Sequence, residues 1–253
     1  MATLYAQLLQ KKQRGQKSLA ILIDPDKNKL KNLDKIIELA NVHGVGYFFV
    51  GGSLLSEDHV ASSITRIKSE SNIPIVLFPG NNYQIDPGAD ALLFLSLVSG
   101  RNPEYLISKH VEAALKIAET NLEVIATAYL LINGGHSNTA AYLSQTLPIP
   151  HDKTEIAVAT AMACKFLNFQ CIYLEAGSGA KIPVASEMIK AVSNKVNLPL
   201  IVGGGLKSCP PLELAYQSGA DLAVVGNEVE TNPDLIKEMM VLVRTFDFKN
   251  AKA

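Results

Sequence analysis

The chain has 253 residues, 48% hydrophobic and 19% charged, which is enough for one sizeable core and too short to presume two domains. Lys+Arg at 23 nearly cancel Asp+Glu at 24, so there is no basic excess of the kind a nucleic-acid footprint needs, and any anionic ligand has to be held locally. Cys164, Cys171 and Cys209 form neither a CxxC pair nor an even disulfide set, the N-terminus lacks the order of a signal peptide, and no run reaches about 18 apolar residues; a cytoplasmic protein is expected, with peripheral membrane contact left open.

In chain order, short apolar runs alternate with longer helical patterns. Strands are expected at Leu19 to Ile23, Gly46 to Val50, Ile75 to Phe78, Ala91 to Leu95, Val124 to Ile132, Cys171 to Leu174, Leu200 to Val202 and Leu222 to Val225. Near-continuous apolar runs suit parallel strands buried on both faces, and eight of them in this length suit a (β/α)8 barrel of the TIM type, with a doubly wound open sheet as the alternative. Helices are expected at Leu30 to Ala40, Asp58 to Ser69, Pro103 to Glu119, Thr154 to Leu167, Ala185 to Val196, Pro211 to Ser218 and Asp234 to Thr245. Between Phe78 and Ala91 the segment PGNNYQIDPGAD leaves no room for a crossover helix, so an irregular or strand-like segment replaces the third helix. The longest loop, Asn133 to Asp152, reads equally as an active-site cover or as surface irregularity.

In such a barrel, chemistry sits just after the strands. The first run ends in Asp24-Pro25-Asp26-Lys27, the second in Gly51-Gly52-Ser53, the sixth in Glu175-Ala176-Gly177-Ser178-Gly179, the seventh in Gly203-Gly204-Gly205 and the eighth in Gly226-Asn227. Glycines there let backbone N–H groups approach a phosphate, though Gly203 to Gly205 would also serve as a plain tight turn. No Arg or Lys adjoins the last strand end, so backbone N–H groups at Gly204, Gly205, Gly226 and Asn227 are the expected phosphate holders, with a short turn over Glu228 to Thr231 behind them.

Asp24 terminates its strand with a hard oxygen donor of the kind Mg2+ takes, whereas Asp26, before Asn28 to Leu30, reads as a helix cap. Ser53 offers either a hydroxyl to the same metal or a cap. Glu175 follows an apolar run and reads as a general base, or as a structural acceptor of loop N–H groups. The five histidines show no metal-ligand spacing, and only His136, in the long loop, stands as a ligand contact.

The ordered set LIDPDK at 22 to 27, VGGS at 50 to 53, FPGN at 78 to 81, YLEAGSGA at 173 to 180, VGGGLKS at 202 to 208 and VVGN at 224 to 227 resembles the geranylgeranylglyceryl phosphate synthase family of prenyltransferases, in its subgroup with a YLEAGSG motif. The resemblance spans nearly the whole chain. It implies Mg2+-dependent transfer of a geranylgeranyl group from its diphosphate to the primary hydroxyl of sn-glycerol 1-phosphate, forming an ether lipid precursor of phospholipid biosynthesis. Asp24 and Ser53 would serve the metal. Tyr173, Leu174, Glu175, Ala176, Gly177, Ser178, Gly179, Gly204, Gly205, Gly226 and Asn227 would hold glycerol phosphate, and an apolar groove that no motif marks would take the tail. The family also implies a homo-oligomer. Two rivals stand beside it: another phosphate-binding barrel enzyme, an isomerase or lyase, drafting Lys27, Asp24 and Glu175, and a non-catalytic prenyl- or phosphate-binding protein.

Overall fold

The computed structural model describes residues 2–26, 31–54 and 59–250. Eight strands close into one parallel barrel in sequence order: β1 (Ser18–Ile23), β2 (Tyr47–Val50), β3 (Ile75–Leu77), β4 (Ala91–Leu97), β5 (Glu123–Leu131), β6 (Cys171–Glu175), β7 (Leu200–Gly203) and β8 (Leu222–Val225). Closure comes from β1 against β8, with Ser18 opposite Leu222 and Ile21 opposite Val225. The open sheet is therefore excluded, and all eight expected strands are present.

Residues alternate between two apolar layers, as the two-residue period of a strand dictates. Leu19, Ile21, Phe48, Val50, Leu77, Ile172, Leu174 and Val202 face outward and pack under the helices. Ala20, Tyr47, Phe49, Val76, Leu93, Ile125, Cys171, Tyr173, Ile201 and Val224 fill the barrel interior. Continuing the inward series past the strand ends brings Asp24, Gly51, Glu175, Gly203 and Gly226 to the barrel mouth.

The outer helices are α2 (Leu33–His43), α3 (Val60–Glu70), α4 (Lys109–Ala118), α6 (Thr154–Phe166), α7 (Ser186–Val196), α8 (Cys209–Gln217) and α10 (Leu235–Asn250). They match the expected helices, except that Leu30 and Asp58, at two expected starts, lie outside the described residues. Three elements were not expected as helices: α1 (Leu4–Gln13), α5 (Thr139–Ser144) inside the long loop, and α9 (Asn227–Thr231), where only a short turn was read. α5 is short and lacks an apolar repeat; its capping residue, Asn138, is its clearest signal, the side chain accepting from Ala141 N at 2.8 Å. A π turn, Glu104–Ser108, leads into α4.

No helix crosses over between β3 and β4. A single 3-10 turn, Asn82–Gln84, occupies the connection, as Pro79 and Pro87 require. The gap it leaves beside α4 shapes the functional site. Among the described residues no helix is long and apolar enough to cross a membrane.

Candidate functional site: a polar barrel mouth joined to an apolar cleft

Two cavities meet at the C-terminal end of the barrel. The first, about 1250 Å³ with its open mouth included, is the polar one, and it gathers residues from nearly every strand end: Asp24, Gly52, Ser53, Phe78, Tyr129, Asn138, Tyr173, Glu175, Gly177, Ser178, Gly204, Gly226 and Asn227 among them. The second, about 960 Å³ likewise measured, runs down between β4 and α4, lined by Ile85, Leu92, Phe94, Leu95, Leu97, Ala113, Ile117 and Leu143. Gly52, Ser53, Phe78, Tyr129 and Ala140 border both, so one ligand can lie across the junction.

Glu175 is the buried carboxylate of the mouth, only 7% exposed. Its Oε1 accepts the Gly177 N–H at 2.7 Å. Burial pushes its carboxyl up to about 7, and the Gly177 bond and the neighbouring Tyr173 hydroxyl pull it partly back. The Tyr173 hydroxyl stops short of a proper hydrogen bond and is buried without a partner. Room for this group comes from strand seven. A Cβ on Gly203 would stand 2.5 Å from Glu175 Oε2, and one on Gly204 2.5 Å from Oε1. Gly204 also has φ +79°, in the left-handed region. The Gly203-Gly204 pair is therefore shaped around Glu175, a third reason for these glycines beside phosphate binding and a tight turn.

The remaining residues expected at the site separate by strand parity. Tyr173, Gly177, Ser178, Gly179, Gly205, Gly226 and Asn227 line the mouth, and Asn227 Nδ2 donates to Ser178 Oγ at 3.2 Å across it. Leu174 and Ala176 do not line it: both are fully buried, with side chains in the outward, helix-facing core. They were read into the site with the rest of their motif, and the strand's alternation turns them away. His136 lies outside the cavity lining, and its Nε2 meets Ser178 O at 3.0 Å, bracing the glycine loop. The expectation that no cation adjoins the last strand end holds only along the chain. Lys207, from the loop after β7, lines the mouth and reaches Glu228 of α9 at 4.0 Å.

Next to α9, Asp24 Oδ1 accepts the Asp26 N–H at 3.2 Å, and the Asp24 N–H donates to Glu230 Oε1 at 3.4 Å. Lys27 and the stretch Asp26 was expected to cap, 28–30, lie outside the described residues. Asp24 and Ser53 both line the mouth, with Glu230 nearby. The described residues hold no group of three His, Cys, Asp or Glu side chains arranged for a metal. That donor set suits Mg2+, which binds through one or two carboxylates and completes its shell with substrate phosphate and water.

Sequence reasoning missed Gln84, which is 2% exposed. Its Oε1 accepts from Gly52 N at 3.2 Å and Gly80 N at 3.1 Å, and its Nε2 donates to Gly52 O at 2.7 Å. It pins the ends of β2 and β3 together, with Gly52 lying against the Asp24 carboxylate. A buried Gln inside a proline-bounded turn was its only signal. Phe78 and Tyr129 were missed as well: around the expected Tyr173, Phe78 stacks at 5.4 Å and Tyr129 meets it edge-on at 5.3 Å. In the cleft wall His110 Nε2 meets Ser96 Oγ at 3.0 Å, and burial lowers its basicity.

The family model described as the PcrB family matches residues 11–243. The chain belongs to the PcrB family. Among relatives of this PcrB protein, the geranylgeranylglyceryl phosphate synthase of Flavobacterium johnsoniae is 46% identical over 232 residues, 92% of this chain and 96% of the relative. That of Chitinophaga pinensis is 44% identical over 236 residues, 93% and 94% of the two chains. Among solved structures, (S)-3-O-geranylgeranylglyceryl phosphate synthase from Thermoplasma acidophilum, in complex with its substrate sn-glycerol-1-phosphate, superposes with a TM-score of 0.88 at 28% identity. The match covers 97% of the PcrB chain described here and 100% of that one.

Proposed function

We propose that this protein transfers a geranylgeranyl group from geranylgeranyl diphosphate to the primary hydroxyl of sn-glycerol 1-phosphate, forming an ether lipid precursor. The observation that carries this reading is the shared wall between a polar mouth and an apolar cleft, in a PcrB-family barrel whose relatives are named for this product. An isomerase or lyase acting on a sugar phosphate has no use for the cleft, and a passive binding protein would hold both ligands without turnover.

The prenyl tail lies in the cleft along β4 and α4, which puts its C1 at the aromatic junction and its diphosphate toward Asp24 and Ser53. Asp24 and Ser53 would hold Mg2+ there, and the ion would supply neutralisation of the leaving diphosphate. Glycerol phosphate occupies the mouth, its phosphate against Gly204, Gly205, Gly226 and Asn227, with Lys207 adding positive charge. Glu175 accepts the proton of the primary hydroxyl while that oxygen bonds to C1, and the C1–O bond breaks with its electron pair leaving on diphosphate. The faces of Phe78, Tyr129 and Tyr173 exclude water and offer π density to the developing allylic cation.

Incubation with labelled prenyl diphosphates of 10, 15, 20 and 35 carbons, Mg2+ and each enantiomer of glycerol phosphate tests the reading. Ether product from the 20-carbon donor and sn-glycerol 1-phosphate is expected. Ligand binding without turnover would support the passive-binding alternative.

A further inference from the structure

Asn138 precedes α5 in the loop after β5 and lines the mouth beside Glu175 and Gly177. It is 8% exposed. Its Oδ1 accepts the Ala141 N–H at 2.8 Å, capping α5, which fixes the amide's orientation because only the oxygen can accept. Nδ2 must then face the other way. It points at the glycine loop, where a Cβ on Gly177 would lie 2.5 Å from it, and there it is buried with no hydrogen-bond partner. An unmatched buried donor of this kind is costly until something accepts from it.

We propose that Asn138 is a further substrate-binding residue, its Nδ2 donating a hydrogen bond to a phosphate or hydroxyl oxygen of glycerol phosphate in the mouth. This rests on the function proposed above and adds to it a contact from the long loop, which no strand-end motif includes. The placement also links the two cavities. The same side chain that meets the acceptor substrate caps α5, whose Ala140 and Leu143 line the prenyl cleft. The C-terminal end of α5 is held in turn by the β4–α4 connection, with Asn102 Nδ2 donating to Ser144 O at 2.7 Å.

Two variants separate binding from capping. Ser and Asp are both good N-caps, so Asn138→Ser and Asn138→Asp keep the acceptor for Ala141 N and remove the donor. Only the aspartate adds charge. Calorimetric titration of the full-length protein with sn-glycerol 1-phosphate should show binding weakened about tenfold or more in both variants, the size of one lost bond to a charged group. Melting temperatures and affinity for a non-hydrolysable geranylgeranyl diphosphate analogue should stay near wild type. Unchanged glycerol phosphate affinity in Asn138→Ser would overturn the assignment, whether or not the aspartate variant weakens through repulsion. Equal losses for both ligands would also overturn it, because they would mark a collapsed α5. A wild-type protein that binds no sn-glycerol 1-phosphate at all would instead overturn the proposed function, and this contact with it.

Discussion

Under the proposed function Glu175 takes the substrate proton, and its environment dictates how activity should follow pH. Unfolded, the carboxyl titrates near its ordinary 4.5; folded, burial pushes it up to about 7. The native state therefore holds an extra proton between those values. The associated stability is complete below about 4.5 and is lost as pH rises through about 7. Catalysis runs the other way, because a general base must be ionised, so kcat/KM should climb with pH through about 7. Glu175→Gln should lower kcat by roughly 10² or more, abolish that climb and melt no lower than wild type at pH 8, since the amide oxygen still accepts from Gly177 N. Steady-state kinetics across pH with a parallel thermal melt checks this, and near wild-type kcat in the variant would remove Glu175 as the base. Next to α9, Asp24→Asn should lose Mg2+-dependent activity far more than Asp26→Asn. Asp24 lines the mouth, whereas Asp26 contributes a backbone N–H to Asp24 Oδ1, which the substitution at 26 leaves in place. The reverse ordering in a Mg2+ titration of activity would reassign the ligand.

At the scale of elements, the missing third helix is the consequential feature. Pro79, Gly80, Pro87 and Gly88 reduce the β3–β4 connection to one 3-10 turn, and α4 then stands off from β4 along the apolar cleft. Ala113 of α4 lines that cleft and is small. Ala113→Phe should fill the lower cleft, shift preference from 20-carbon toward 15- or 10-carbon donors and leave glycerol phosphate affinity unchanged. Competition between prenyl diphosphates of different length reads the shift. Unaltered chain preference would place the tail elsewhere. The same connection carries Gln84, whose three hydrogen bonds to Gly52 and Gly80 tie the ends of β2 and β3 together.

Across the whole molecule, the two ends of the barrel divide the work. The mouth carries the candidate site, and the opposite end is closed by α1. Glu123, at the start of β5, accepts from the Leu4 and Tyr5 N–H groups, and Leu8, 6% exposed, packs into the interior layer with Tyr47 and Ile125. Removing residues 2–13 should cost about 3 kcal/mol from lost apolar burial and lower Tm by roughly 5–10 °C. The kcat should be retained, because α1 touches no residue of the mouth. A thermal melt with a turnover assay decides it: an unchanged Tm would mean the plug contributes nothing, and a lost kcat in a folded truncate would couple the two ends.

Much of this was legible along the chain because the governing rules are local. Apolar runs of three to nine residues broken by glycine and aspartate are what doubly buried parallel strands look like, and strand ends are where a barrel keeps its chemistry, so Asp24, Glu175 and the glycine clusters stood out by position alone. Other features depended on contacts between segments far apart in sequence. Lys207 comes to β8 only because β7 and β8 pair; Gln84 braces Gly52 across 32 positions; Asn138 meets Gly177 only when the loop after β5 folds over β6. The cleft has no motif, since it is a gap between β4 and α4 and its apolar lining is indistinguishable in sequence from core. Strand parity, readable in principle, was overridden by a contiguous motif at Leu174 and Ala176. The sequence by itself determined the strands, the barrel and the polar groups at its mouth, through local patterning. Tertiary structure alone decided which of those groups share a cavity and where a long apolar chain can lie, because burial and proximity are properties of packed surfaces.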